Sequence, residues 1–122
     1  IEKLCSDPHG VYYLLELGSA IIGMGALHQI REKAGEIKRM YIRPAYRGKG
    51  YGKTLLQLLL HKAKEFGYNS VYLDTGRFMT TAHKLYLSLG FIECNEYSET
   101  EIPPQLKSQW LFMKKTLEDT TK

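Results

Sequence analysis

Along the first third of the chain, apolar residues come in short runs rather than at helical intervals. Residues 11–17 and 20–27 are β-compatible stretches parted only by Gly18 and Ser19, which predicts an antiparallel hairpin. A polar connection over residues 29–35 leads to a third strand over residues 36–42, which ends before Pro44 because proline has no N–H to give a ladder. Within that strand Ile37 and Met40 stand three apart, which breaks strict alternation. If both face the core, the strand holds one extra residue and carries a β-bulge.

After residue 50 the period changes. Leu55, Leu56, Leu59, Leu60, Ala63 and Phe66 form one helical stripe, and Gly67 is placed to end that helix with a positive φ. Residues 70–74 read as a short strand. Thr80 or Thr81 can cap a second helix whose inward stripe is Ala82, Leu85, Tyr86 and Leu89, stopped by Gly90. A strand over residues 91–94, a polar loop containing Pro103 and Pro104, and a last strand over residues 109–114 complete the chain, the last two strands pairing antiparallel. The order β-β-β-α-β-α-β-β is that of an α/β domain on a mixed sheet.

The chain has 122 residues, enough for one buried core and too few for two ordinary domains. Residues 1–122 are therefore expected to form a single domain, with 118–122 as a flexible tail. No apolar run is long enough to span a bilayer, so no membrane partner is expected. Cys5 and Cys94 have no metal-ligand spacing and make no disulfide framework, so neither a metal nor an oxidising compartment is expected, and a cytoplasmic location is the default.

The net charge of +4 matters less than where it lies. Lys38, Arg39, Arg43, Arg47, Lys49 and Lys53 fall within sixteen residues that hold no acid, and the remainder of the chain is net acidic. A nucleic-acid binder spreads its basic face over several elements, so nucleic acid is not an expected partner. The cations surround Gly48, Gly50 and Gly52, just ahead of the long helix. The first amides of a helix have no internal partner and carry partial positive charge, so Arg47, Gly48, Lys49, Gly50, Tyr51, Gly52 and Lys53 together read as a phosphate cradle.

Two phosphate motifs fail on spacing. A P-loop ending in Gly52, Lys53 and Thr54 would need glycine at residue 47, which is Arg. The dinucleotide fingerprint Gly-x-Gly-x-x-Gly does not match glycines at 48, 50 and 52. What the segment does resemble, as Arg47-x-x-Gly50-x-Gly52 after a strand ending in Ile42, Arg43 and Pro44, is motif A of the GNAT superfamily of acyl-CoA-dependent N-acetyltransferases. Ala82, Leu85, Tyr86, Gly90 and Phe91 are similar to that family's second signature, and the likeness covers about residues 11 to 117.

The resemblance implies a mostly antiparallel sheet, splayed between its fourth and fifth strands and flanked by helices. It implies acetyl-CoA as cosubstrate, with no metal. The pyrophosphate would lie on the amides of residues 48 to 53, and the pantetheine arm would pair with the strand edge at Met40, Tyr41 and Ile42. The expected bulge is where the family turns a backbone N–H toward the thioester oxygen. Tyr86 would contact the sulfur and donate the proton that the departing thiolate takes. Glu36 matches a position that serves as general base in one branch of the family.

Acetyl transfer to an amine needs a neutral nitrogen, although an alkylammonium titrates near about 10.4, and a thiolate whose conjugate acid titrates near about 8.5. A base and an acid therefore both have work here. His28, His83 and Cys94 are weaker candidates, and Glu96, Glu99 and Glu101 read first as solvated loop charge.

The match falls short in two places. Relatives begin with a strand and helices that line the acceptor site, for which ten residues leave no room. An N-terminal truncation is the expectation. Where many relatives have an asparagine that touches the coenzyme, this chain has Phe78, Met79, Thr80 and Thr81. The expected partner is a small-molecule primary amine in preference to a protein, with homodimerisation left open. The alternative reading is a non-catalytic module of the same fold that binds or senses acyl-CoA.

Overall fold

The computed structural model describes residues 2–7 and 10–117, with side chains from residue 10 onward. The elements are β1 (Glu2–Asp7), β2 (Gly10–Leu17), β3 (Ala20–Arg31), β4 (Ala34–Ile42), α1 (Tyr51–Glu65), β5 (Ser70–Gly76), α2 (Thr80–Ser88), β6 (Ile92–Cys94) and β7 (Trp110–Thr116). The strands form one sheet in the order β1-β2-β3-β4-β5-β7-β6. Every pairing is antiparallel except that of β4 with β5.

The helical stripe expected in α1 is the one buried: Leu55, Leu56, Leu59, Leu60 and Ala63. They pack with Val11, Tyr13, Leu27 and Ile37 from one half of the sheet and Val71, Leu73 and Met113 from the other. Each fully buried leucine is worth about 1.5–3 kcal/mol over leaving it exposed, so tertiary packing rather than propensity holds this helix. Gly67 ends it at φ 83°. α2 contributes buried Tyr86, with Ala82, Leu85 and Leu89 partly buried against the same core.

Beyond three residue pairs, β4 and β5 part company. Ala34 pairs with Ser70, Gly35 with Val71 and Glu36 with Tyr72. From there β4 follows β3 as far as the Gly23–Ile42 pair, and β5 follows β7 as far as Gly76–Trp110. The expected bulge helps to explain the divergence. Met24 pairs with Tyr41 but Ala26 with Lys38, so Gly25 stands opposite both Arg39 and Met40. Arg39 takes the extra residue in a left-handed conformation at φ 58°, which costs a non-glycine about 1–2 kcal/mol. A bulge bends its strand and strengthens the local twist, which carries β4 away from β5. The mixed, splayed sheet flanked by helices is thus the observed fold.

Four expectations need correction. The residues ahead of the first hairpin hold a strand, β1, which pairs with β2; its polar sequence gives no alternation signal, and an edge strand does not require one. No helix precedes β2 among the described residues. The supposed connection over 29–35 is mostly strand: β3 runs on to Arg31 and β4 starts at Ala34, around a turn in which Lys33 has φ 60°. Met79 rather than a threonine occupies the N-cap of α2, and no side chain caps it. The polar loop after β6 contains a 3-10 turn over Pro104–Gln109 and a buried residue, Tyr97. Residues 118–122, expected as a tail, lie outside the described residues.

Candidate active site

The fork between β4 and β5 opens into a cleft of about 340 Å³. Ile37, Lys38, Arg39 and Met40 line one wall, and Leu73, Asp74 and Thr75 the other. Tyr86 reaches in from α2. It is only 7% exposed, and its hydroxyl makes no hydrogen bond among the described residues. Every fully buried side-chain polar atom there has a partner, so the Tyr86 oxygen faces the open space of the cleft. Burial, with the Asp74 carboxylate adding to it, pushes this phenol up to about 12. At neutral pH Tyr86 is a proton donor.

Glu36, expected as general base, does not line the cleft. It is 1% exposed, on the sheet face opposite α1, and both its oxygens are taken. The Tyr97 hydroxyl donates to Oε2 at 2.5 Å. His28 Nε2 lies 2.8 Å from Oε1, and Lys38 Nζ 3.7 Å from the same atom. Tyr97 stands between this acid and a second one, its oxygen 3.4 Å from Asp74 Oδ2. Burial, then the hydrogen bond and charge of Glu36, raise the Tyr97 phenol far above its ordinary value, so it keeps its single proton. The closer carboxylate accepts its hydrogen bond, and Thr100 Oγ1 and Trp110 Nε1 donate to Asp74 instead, at 3.0 and 3.1 Å.

The loop residues around this network hold it closed. Arg31 donates to both oxygens of Glu99, at 3.0 and 3.2 Å, with its guanidinium over Tyr72. Lys38 pairs with Glu101, and Lys107 with Glu96 at 2.5 Å. The three loop acids are paired as well as solvated: Glu101 is 77% exposed and Glu96 and Glu99 are partly so. His83 bonds the Gly76 carbonyl at 2.8 Å and so ties α2 to the end of β5.

At the other end of β4 lies the glycine-rich turn. Gly48 and Gly50 have φ of 79° and 88°, a conformation that side-chain-bearing residues rarely adopt. Gly52 is different. An added Cβ there would meet only Leu85 at 3.5 Å and Ile42 at 3.8 Å, ordinary contacts, so neither packing nor conformation requires glycine. Those neighbours place the start of α1 beside the end of β4 and beside α2. The first turn of α1 has no acidic residue and no side-chain cap, although carboxylates are the usual complement of a helix N-terminus. Lys49 and Lys53 are exposed. Arg47 is partly engaged, donating to the Ile42 carbonyl at 2.7 Å and lying over the Tyr41 ring.

Residues 1–91 match the model of the acetyltransferase (GNAT) family. The chain belongs to that family. It is 34% identical over 94 residues to YjgM, an uncharacterized N-acetyltransferase of Escherichia coli strain K12, an alignment that covers 75% of this chain and 56% of that protein. An IAA acetyltransferase from Bacillus cereus matches at 25% identity and a TM-score of 0.75, over 89% of this chain and 79% of that one. A GNAT acetyltransferase from Elizabethkingia anophelis, solved with acetyl-CoA bound, has the same fold at 24% identity and a TM-score of 0.73, over 89% and 77%. The chain spans a little over half the length of YjgM.

Of the residues expected at the GNAT site, the structure gathers Met40 and Tyr86 in the cleft; Gly48 and Gly50 belong to the turn ahead of α1, and Gly52 lies beside Ile42 and Leu85. Tyr41 is largely exposed, and Ile42 and Tyr51 are half-buried. Sequence reasoning missed Asp74 and Tyr97. The one signal for Tyr97 is that it is the lone aromatic residue of its loop. Among the described residues no group of His, Cys, Asp or Glu is placed to hold a metal, and no helix is long and apolar enough to cross a membrane.

Proposed function

We propose that the chain is an N-acetyltransferase that takes an acetyl group from acetyl-CoA and transfers it directly to a small-molecule primary amine. The observation that carries this reading is the fork itself, a cleft opened by a bulge with an unpartnered phenol inside it, together with an acid-free helix N-terminus at the far end of β4. The family membership supports the same reaction.

The chain's own groups fit the cosubstrate. Amides at the start of α1, with Lys49 and Lys53, would hold the diphosphate. Glycine at 52, unexplained by the protein's own packing, leaves backbone exposed where a phosphate would come close. Beyond Glu36 the β5-facing edge of β4 has no strand partner among the described residues, and an extended arm can add to such an edge through backbone hydrogen bonds. Bound acetyl-CoA supplies the activated acyl carbon. Tyr86 Oη holds a proton in the same cleft, in reach of a group departing there.

The test is calorimetric titration with acetyl-CoA, followed by thiol release over a panel of primary amines. Saturable binding and amine-dependent thiol release are expected. Binding without turnover on any amine would favour the non-catalytic module, and no binding would end the coenzyme reading altogether.

A further inference from the structure

We infer that Asp74 is the acid that meets the acceptor, and that the acceptor is a small primary amine carried on an apolar stem. The inference deepens the acceptor half of the proposed function and rests on it.

Charge balance is the first argument. Glu36 and Glu101 both have Lys38 within 4.0 Å, Glu96 has Lys107 and Glu99 has Arg31. Asp74 has none among the described residues, and yet it lines the cleft. Its two oxygens accept one close hydrogen bond each, from the neutral donors Trp110 and Thr100. A carboxylate offers about four lone-pair sites, so each oxygen can still accept another donor. Tyr97 adds little, because its proton lies with Glu36. A half-buried carboxylate with spare acceptor capacity and no counter-charge calls for a cationic donor, and an alkylammonium supplies both the charge and the N–H groups.

The second argument is independent of the acids. The Tyr86 hydroxyl, on a side chain more than nine-tenths buried, is unpartnered and opens into the same cavity. One cavity thus holds a proton donor without an acceptor and a carboxylate without a cation. A nitrogen lodged at Asp74 would share that space with Tyr86. Glu36 then acts as a positioning residue: it accepts the Tyr97 hydrogen bond and leaves Asp74 available.

The stem follows from the rim. Met79, Ile102 and Trp110 line the cleft near Asp74. Phe78 is 71% exposed, its ring edge-on to Trp110 with centroids 6.2 Å apart. Exposed aromatic and thioether surface around a cleft favours an apolar body over a polycation.

Trp110 is the only tryptophan in the chain, and its N–H is bonded to Asp74 Oδ1 at 3.1 Å. Its fluorescence therefore reports on Asp74 without any need for turnover. The probe is 2-phenylethylammonium chloride, compared with 2-phenylethanol at constant ionic strength. The ammonium is expected to give a saturable change and the alcohol none, with Asp74→Asn weakening the ammonium response by about 10- to 100-fold. No saturable response in the wild type, an equal response to the alcohol, or an unchanged affinity in Asp74→Asn would overturn the assignment. Acetyl-CoA calorimetry on the same preparations separates the two readings. Coenzyme binding without the ammonium response sinks Asp74 alone, whereas absent coenzyme binding sinks the proposed function.

Discussion

The two ends of β4 are built in opposite ways. At its C-terminal end, the turn from Arg47 to Lys53 is contiguous in sequence, exposed, and left with uncompensated positive charge. At its N-terminal end, Glu36 sits buried in a network that joins His28 and Lys38 to Asp74 and to Tyr97, 61 residues away, and further on to Thr100 and Trp110. The first region is a local device shaped by backbone conformation. The second is assembled only by tertiary folding, and its polar groups are satisfied internally except where Asp74 and Tyr86 meet the cleft. Binding is thus expected to fail when the first is altered, and stability when the second is.

Gly50→Val is the largest expected break. A β-branched residue at φ 88° would displace the turn, and the calorimetric signal with acetyl-CoA should disappear while the core behind α1 stays folded. Full binding by this variant would mean that the turn is no cradle.

Tyr86→Phe comes next. Coenzyme binding should be retained, and thiol release in the presence of an accepted amine should fall by about 100-fold or more. The same variant carries a stability signature. Because the folded phenol is raised to about 12 from an ordinary value near 10, the unfolded chain loses this proton first as pH rises. Wild-type stability should therefore fall between pH 10 and 12, by about 2–3 kcal/mol from this group, and the phenylalanine variant should lack that component. Urea denaturation of both proteins across that window measures the difference.

Tyr97→Phe sharpens the comparison from the other side. It strips a donor from Glu36 Oε2 at 1% exposure, and should cost about 1–3 kcal/mol in urea denaturation with coenzyme affinity unchanged. If stability held and coenzyme affinity dropped instead, the division between the two ends of β4 would be wrong.

What could be read from the sequence follows the same division. The stripe of α1, the glycine turn, the inward-facing Tyr86 and even the bulge signalled by Ile37 and Met40 are local patterns, and local patterns survive in a one-dimensional string. Tyr97 sits in a loop with no period, and nothing in the string ties it to Glu36 or Asp74. Asp74 itself reads as one polar residue of a strand. The turn at Glu32 and Lys33 lacks the glycine or asparagine that would have marked it, so the ends of β3 and β4 passed as a connection. Pairing of Arg31, Lys38 and Lys107 with the loop acids is likewise a product of tertiary proximity, invisible in composition.

The strand order has a consequence for synthesis. β7, the last strand in chain order among the described residues, lies between β5 and β6 and pairs with β5 along all seven of its residues. A nascent chain that has emerged only as far as Cys94 already holds the whole glycine-rich turn, yet β5 still has a naked edge and β6 has no strand to join. Such an edge is a template for pairing with other chains, so until residues 110–116 leave the ribosome β5 is open to pairing with the wrong strand.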